Sequence, residues 1–216
     1  MAFLPINKQD MLARGWDELD FIFVTGDAYI DHPTFGTAIL SRLLEKNGYK
    51  VGIISQPCVD GPEDICSLGR PRLAFLVNAG VIDSMVAHYT AARRKRSDDA
   101  YTPGGRAGRR PDRAVTVYSK LIKKYFPDSF IVIGGLEASL RRFAHYDYWK
   151  DTVMPSVLVS SGADLLSYGM GERSILEIAR ALQNGGDCTK IRGICYMSDN
   201  PEEKGIMLPS FEQVAE

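Results

Sequence analysis

The sequence predicts an α/β fold of the flavodoxin-like or cobalamin-binding-like, doubly wound type, in which helices cover both faces of a mainly parallel sheet. Short apolar runs recur along the chain, amphipathic helical patterns separate them, and polar turns with glycine follow several of them. Strands that alternate with helices form parallel sheets with right-handed crossovers. Short connections that return the chain to the sheet near positions 51 and 129 favour the flavodoxin-like strand order.

Six apolar runs are predicted as strands of this sheet: 19–24, 51–55, 73–77, 130–133, 165–168 and 191–197. The helix after the first strand carries its apolar residues on one face, namely Phe35, Ile39, Leu40, Leu43 and Leu44. It ends at Asn47-Gly48, which is a C-cap signal. Two further helices are predicted, one around 114–126 and one from Glu172 to the glycine turn at Asn184.

The domain organisation follows from these elements. We expect an N-terminal extension over 1–18, the α/β domain over 19–198 with a basic insertion at 89–113, and an irregular polar tail over 199–216. A chain of 216 residues is long enough for one sizeable core.

Composition excludes few functions. Hydrophobic residues make up 45% of the chain, and 26 Lys and Arg balance 27 Asp and Glu, so overall charge favours neither nucleic acid nor membrane as a partner. No apolar run approaches the roughly 20 residues of a membrane span. The first eight residues lack the pattern of a secretory signal. These features predict a cytoplasmic protein without a membrane partner.

The four cysteines do not form a metal-binding motif. Their spacings are C-x7-C for Cys58 and Cys66 and C-x6-C for Cys188 and Cys195. Zinc sites and compact iron–sulfur loops use closer spacings such as C-x2-C. We therefore predict scattered thiols and no metal site built from this chain.

The turn after the fourth main strand is the first candidate site. Gly134 and Gly135 end an apolar run, and Glu137, Ser139, Arg141 and Arg142 follow, with His145 shortly after. Ligands of open α/β sheets lie outside the carboxyl ends of strands, where glycine allows close approach of the backbone. The alternative is that the two glycines only turn the chain.

Two other loops are candidates. Asp31 and His32 follow the first strand and have side chains suited to proton transfer or metal binding, although helix entry also explains them. Gly169, Gly171 and Glu172 open a helix whose N–H groups are suited to an anion. The full G-x-G-x-x-G motif is missing, which disfavours a nicotinamide dinucleotide site.

The segment 89–113 is strongly basic inside a neutral protein. Its cations are Arg93, Arg94, Lys95, Arg96, Arg106, Arg109, Arg110 and Arg113. Three interpretations stay open: a solvated excursion, a site for a phosphate-rich ligand or RNA, and a surface that docks another domain. Tyr101 is the sole aromatic residue between Arg93 and Arg113, which gives little support to stacking on single-stranded RNA.

Several strings resemble known families. This chain resembles the cobalamin-binding-like domain that precedes many radical SAM cores. Four strings carry the resemblance: Pro33 with Gly36, Gly48-Tyr49-Lys50-Val51, Ile133-Gly134-Gly135 with Ser139, and Gly169-Met170-Gly171-Glu172. Longer strings resemble the YgiQ family of radical SAM proteins, among them Asp83-Ser84-Met85-Val86, Tyr101-Thr102-Pro103-Gly104-Gly105, Arg110-Pro111-Asp112-Arg113 and Glu137-Ala138-Ser139-Leu140-Arg141-Arg142.

This resemblance implies the N-terminal fragment of a longer enzyme. Radical SAM enzymes bind a 4Fe-4S cluster through C-x3-C-x2-C and use S-adenosylmethionine, and this chain has no such cysteine triplet. The cluster and S-adenosylmethionine are therefore expected in a domain outside the chain, which would be its partner. The cobalamin motif D-x-H-x-x-G is also altered, because Asp31 is adjacent to His32, so cobalt coordination by His32 is not expected. Cobalamin binding without a protein ligand stays open.

Two functions follow as expectations. The chain is either an accessory domain that covers the active site of a radical SAM enzyme and helps to hold its unknown substrate, or a self-sufficient module for cobalamin or RNA. We expect the loops bearing Asp31, His32, the Glu137–Arg142 turn and His145 to emerge at one edge of the sheet. Arginines there suit an anionic group. The alternative is that Glu137 and Arg141 form a buried structural pair.

Overall fold

The computed structural model describes residues 3–30, 35–200 and 205–216. Its strands are β1 (Phe21–Thr25), β2 (Val51–Ser55), β3 (Ala74–Asn78), β4 (Ile131–Ile133), β5 (His145–Asp147), β6 (Thr152–Met154), β7 (Leu165–Ser167) and β8 (Ile194–Tyr196). All six predicted strands are present; the bounds of β2 agree with the prediction, and those of the other five differ by up to three residues.

Six strands form one sheet in the order β2-β1-β3-β4-β7-β8. Neighbouring strands from β2 to β7 pair in parallel, and β8 alone runs antiparallel to its neighbour β7 within the sheet described. The first five positions reproduce the flavodoxin-like order. The predicted fold class is therefore confirmed.

The helices are α1 (Lys8–Ala13), α2 (Gly36–Lys46), α3 (Ser84–His88), α4 (Ala114–Tyr125), α5 (Gly135–Leu140), α6 (Val157–Ser161), α7 (Gly171–Gln183) and α8 (Phe211–Ala215). One face of the sheet packs on α4 and α6, where Tyr118 is fully buried. The other face packs on α2 and α7, where Leu44 and Ile178 are fully buried. Helices thus cover both faces, as predicted.

Three features differ from the expectations. The Glu137–Arg142 segment is not a simple turn, because α5 begins directly after Gly134. A separate antiparallel hairpin joins β5 and β6, which the sequence pattern did not predict. The apolar face of α2 is divided, since Leu44 is buried while Ile39 is 51% exposed.

The segment 89–113 is attached to the carboxyl edge of the sheet. It contains a short 3₁₀ turn at Pro103–Gly105. The Ala28 N–H donates to the Tyr101 carbonyl at 2.8 Å. The side-chain amide of Gln56 donates to the Thr102 hydroxyl at 2.7 Å. These bonds fix the segment beside the ends of β1 and β2.

The N-terminal residues and the helix lengths complete the description. Leu4 is buried, and the carbonyl of Pro5 accepts a hydrogen bond from the Ile53 N–H at 2.9 Å, so this part of the predicted extension packs against the sheet. Within the three described ranges, each helix is too short or too polar to cross a bilayer.

Candidate functional site

A cavity of about 280 Å³ opens at the carboxyl edge of the parallel sheet. It lies between the ends of β1, β3, β4 and β7 and the first turns of α2 and α7. Five of the predicted site residues line it: Gly134, Gly135, Gly169, Gly171 and Glu172. Open α/β sheets bind ligands at this position.

The cavity has apolar walls, several polar groups that are bonded to each other, and the carboxylates of Asp27 and Glu172 in its lining. Its walls include Phe23, Leu40, Leu76, Val132 and Ile175. The Asn78 side chain accepts a hydrogen bond from the Thr25 hydroxyl at 2.8 Å and donates to the Thr37 hydroxyl at 3.2 Å. The hydroxyls of Ser167 and Ser174 bond to each other at 2.8 Å. No Lys or Arg is among the described lining residues, so the cavity suits an uncharged group better than a phosphate.

The two glycines after β4 bring the strand ends close together. Gly135 has φ +79°, the left-handed region, and a Cβ there would lie 3.3 Å from the Cβ of Asn78. A Cβ on Gly134 would lie 3.3 Å from the carbonyl oxygen of Ser167. Glycine at both positions therefore lets the chain turn sharply from β4 into α5 above the cavity.

Exposed apolar side chains surround the mouth of the cavity. They are Ile39, Val81, Leu136 and Met170, and Met170 is 82% exposed. Contiguous apolar patches at the edge of a concavity mark interaction sites more often than scattered apolar residues do. We refer to these four residues as the apolar rim.

Glu137 is buried away from the cavity and joins three helices. Its carboxylate accepts hydrogen bonds from the N–H groups of Ser84 at 2.8 Å and Val115 at 3.0 Å, which lie in the first turns of α3 and α4. Burial, and then the charge of Asp83, raises the pKa of Glu137 above its ordinary value, although the Ser84 and Val115 bonds act the other way. Glu137 therefore accepts hydrogen bonds from N–H groups at the starts of α3 and α4, which have no partner within their own helices.

Arg141 belongs to a second buried network. Its guanidinium contacts the Asp83 carboxylate at 2.6 Å and lies 3.6 Å from that of Asp147. Arg113 also pairs with Asp147, at 2.7 Å. Burial alone would raise the pKa of Asp147, but the hydrogen bonds from Arg113 and Lys150 and the charges of Arg113 and Arg141 outweigh it and hold the value below the ordinary range. Glu137 and Arg141 therefore sit in adjacent networks, each with its own partners.

Arg110 of the basic segment is fully buried between two carboxylates. It lies 3.1 Å from an oxygen of Asp27 and 3.0 Å from one of Asp99, and it donates to the Ala79 carbonyl at 2.7 Å. Asp27 also lines the cavity and accepts a hydrogen bond from the Val81 N–H. This ion pair connects the basic segment directly to the cavity wall.

The other predicted residues near α5 lie outside the cavity lining. Ser139 donates to the Gly135 carbonyl and accepts from the Gly169 N–H, so it ties α5 to the turn before α7. The Arg142 guanidinium stacks between two rings, 4.6 Å from that of Phe143 and 5.0 Å from that of Tyr168.

His145 lies on β5, where Nδ1 is 3.0 Å from the Phe143 carbonyl. Asp31 and His32 fall outside the described residues. The remaining cations of the basic segment are exposed: Arg93, Arg94, Lys95, Arg96, Arg106 and Arg109.

The cysteines and acidic residues do not form a metal site in the described ranges. There, no three His, Cys, Asp or Glu side chains are grouped as metal ligands. Burial raises the pKa of the Cys66, Cys188 and Cys195 thiols, which keeps them protonated at neutral pH.

Sequence reasoning missed Asp27, Asn78, Asp83 and Asp147. Asp27 and Asn78 stand at the carboxyl ends of β1 and β3, where the predicted sheet already placed ligand-binding loops. Their position at the carboxyl ends of two predicted strands was sufficient to nominate both residues. Asp83 is the N-cap of α3, and its role with Arg141 depends on a contact between distant segments.

Comparison with known proteins gives the family. Residues 3–216 match the profile of a family described as Radical SAM N-terminal. The chain belongs to that family. The predicted resemblance to radical SAM proteins is thereby confirmed.

Curated relatives of this radical SAM N-terminal domain are longer proteins. The UPF0313 protein of Thermotoga maritima is 56% identical over 217 residues, which cover 99% of this chain and 38% of the relative. A UPF0313 protein of Clostridium perfringens is 56% identical over 219 residues, covering 99% of this chain and 33% of the relative. The chain therefore spans about a third of the length of these relatives.

Two solved structures share the fold. Both are of TsrM, a radical S-adenosylmethionine methyltransferase from Kitasatospora setae, one with tryptophan and a SAM analogue and one with cobalamin and a [4Fe-4S] cluster. Each has a TM-score of 0.54 and covers 83% of this chain. The first is 17% identical in sequence, and the match covers 28% of the TsrM chain. The second is 16% identical, and the match covers 29% of the TsrM chain. The likeness shows the fold of the radical SAM N-terminal domain.

Proposed function

We propose that this chain is an accessory domain of a radical SAM iron–sulfur enzyme and that its carboxyl-edge cavity holds an uncharged, apolar part of the substrate or of a cofactor. The cavity with its apolar rim carries the proposal. The walls are apolar and the polar lining groups Asn78 and Ser167 are bonded within the protein. Binding of a group in the cavity is therefore favoured by the burial of apolar surface rather than by new hydrogen bonds.

The apolar rim supports a covering role. Met170 and Leu136 stand at the mouth of the cavity and expose apolar surface to solvent in this chain. The relatives are about three times as long, so most of each lies outside the matched region. In our proposal that region packs on the apolar rim and closes the cavity over its ligand.

The iron–sulfur cluster and S-adenosylmethionine belong, in this proposal, to the longer protein. The described residues of this chain do not fit a cluster, because no three suitable side chains are grouped. Anaerobic treatment of the chain with iron and sulfide is expected to leave it without stoichiometric bound iron. About four irons per chain would contradict this assignment.

A cobalamin-binding module is the second candidate function. The fold likeness to TsrM, one structure of which holds cobalamin, favours it, as does the position of the cavity. The uncharged aromatic base of cobalamin fits the chemistry of the apolar walls, and Gly134 and Gly135 would allow its close approach. The spacing of Asp31, His32 and Gly36 differs from the cobalt-ligand motif, so binding would use no cobalt ligand from His32.

Filling the cavity tests both candidates. Thr37 lines the cavity from the first turn of α2 and is half-buried, so Thr37→Trp adds bulk without opening the core. Lys120→Trp is the matched control, because Lys120 is exposed on α4, across the sheet. Equilibrium dialysis of the chain with hydroxocobalamin distinguishes the candidates. Binding that Thr37→Trp weakens at least tenfold and Lys120→Trp leaves unchanged supports the cobalamin module.

Two results bear on the broader proposal. Absence of cobalamin binding rejects the second candidate and leaves the accessory domain with a different apolar ligand. In the longer protein, the accessory role predicts that Thr37→Trp lowers turnover while Lys120→Trp does not. Equal turnover of both variants would contradict a ligand in this cavity.

A further inference from the structure

The tip of the basic segment is a turn with a fixed backbone. Tyr89 and Lys95 form an antiparallel bridge, and the Thr90 N–H donates to the Arg94 carbonyl at 2.9 Å. Arg93 stands at the tip with φ +58°, a left-handed conformation that non-glycine residues seldom adopt. The turn therefore fixes the backbone from which the Arg93 side chain extends.

The hairpin of β5 and β6 places exposed aromatic rings beside the tip of the basic segment. The guanidinium carbon of Arg93 lies 4.5 Å from the centre of the Tyr148 ring. The Tyr148 hydroxyl donates to the Ala91 carbonyl at 2.8 Å, which fastens the tip to the hairpin. Tyr146, on β5, is 57% exposed, and its hydroxyl donates to the exposed Asp151 carboxylate, which leaves the ring face open.

The exposed charges at the tip are of one sign. Four consecutive residues, Arg93 to Arg96, are exposed cations, and the nearest following acid is Asp98. Arg110 and Arg113 are different, because carboxylates of the same molecule pair with both. We define the cation–aromatic surface as the exposed residues that remain: Arg93, Arg94, Lys95, Arg96, Tyr146 and Tyr148.

We infer that the cation–aromatic surface binds single-stranded nucleic acid. A guanidinium stacked on a ring keeps N–H donors for phosphate oxygens. Exposed aromatic faces such as that of Tyr146 stack with unpaired bases, which a duplex keeps inside. An acidic protein would use the charges but gives the rings no matching partner, so the rings decide between the two. This inference is independent of the ligand proposed for the cavity.

Fluorescence anisotropy of a labelled RNA of about 16 nucleotides, titrated with the 216-residue chain, tests the inference. We expect saturable binding whose affinity falls with salt, with a logarithmic slope of about −2 to −3 for three or four phosphate contacts. Tyr148→Leu is expected to weaken binding about tenfold, whereas Tyr148→Phe, which keeps the ring, changes it little. Single-stranded DNA is expected to bind as RNA does, and duplex DNA of the same length more weakly.

Two variants separate a binding role from a structural one. Arg93→Gly keeps the fold, because glycine adopts the left-handed backbone without strain, and is expected to weaken RNA binding about fivefold. Arg173→Ala removes the same charge from the exposed face of α7 and is expected to leave binding within twofold. Equal loss in both variants, no binding at low salt, or equally tight binding of polyglutamate would each overturn the inference.

Discussion

Apolar side chains hold the sheet together, whereas buried ion pairs hold the segment 89–113 against its edge. Phe75 and Ile131 are fully buried among other apolar residues. Arg110 is buried to the same extent, but between the carboxylates of Asp27 and Asp99. Burying charges is costly unless they are paired, so the attachment of the segment depends on these ion pairs.

The comparison divides one basic segment into two groups of arginines. Arg110 and Arg113 anchor the segment to the domain through Asp27, Asp99 and Asp147. The cations at the tip have no comparable role in packing and face solvent. A run that looks uniform in sequence therefore has an anchoring part and a displayed part.

The largest expected effect comes from removing an anchor. Arg110→Met has a similar volume but removes the buried cation that contacts both Asp27 and Asp99, so we expect a loss of about 3–5 kcal/mol in the free energy of unfolding. Urea denaturation followed by circular dichroism measures it. Arg109→Met, the exposed neighbour, is the control and should change stability by less than about 0.5 kcal/mol. Similar stability of the two variants would remove the distinction between anchoring and displayed arginines.

A smaller effect is expected at Glu137. Glu137→Gln keeps the shape but places a side-chain amide where two N–H groups need acceptors, with an expected loss of about 1–3 kcal/mol. Because the pKa of Glu137 is raised in the folded chain, its contribution is fully present below the ordinary value of 4.5 and is lost as the pH rises through the raised pKa.

The test is to measure the unfolding free energies of the wild type and of Glu137→Gln from pH 4 to neutrality. The stability advantage of the wild type over Glu137→Gln should shrink as the pH rises from 4 towards neutrality, because only the wild type carries this titrating group. A difference that stays constant with pH would show that Glu137 titrates alike in the folded and unfolded chains.

The smallest stability effect is expected at the displayed tip. Arg93→Gly removes an exposed side chain and relieves a left-handed backbone, so unfolding free energy should change by no more than about 1 kcal/mol in either direction. Thermal melts of Arg93→Gly and Arg110→Met, measured side by side, test whether the effect at Arg93 is the smaller one. A loss at Arg93 as large as that at Arg110 would place the tip among the anchors.

The sheet was predictable because its strands are buried on both faces. Runs such as Phe130 to Ile133 are continuously apolar, and glycine turns mark where they end. The cavity follows from the same pattern, since loops after parallel strands meet at one edge, and Gly134, Gly135, Gly169 and Gly171 do line it.

The buried charges were not predictable from local pattern. A buried pair of Glu137 with Arg141 was one expectation from the sequence, but the partners of Glu137 are N–H groups of α3 and α4. Arg110 pairs with Asp27, which lies in a different loop, and the hairpin that presents Tyr148 to Arg93 has strands of three residues with polar members. Such contacts depend on the fold as a whole, which periodicity does not encode.

Hydrogen exchange tests most directly the central claim that this domain covers an active site with its carboxyl edge. Amide exchange of this chain is compared with that of the longer protein to which we propose it belongs, with α1 as the internal reference. We predict slower exchange in the longer protein at the turn of Gly169 to Gly171 and at the start of α5, where Leu136 and Met170 form the apolar rim. Identical exchange at these amides in both proteins would contradict the claim.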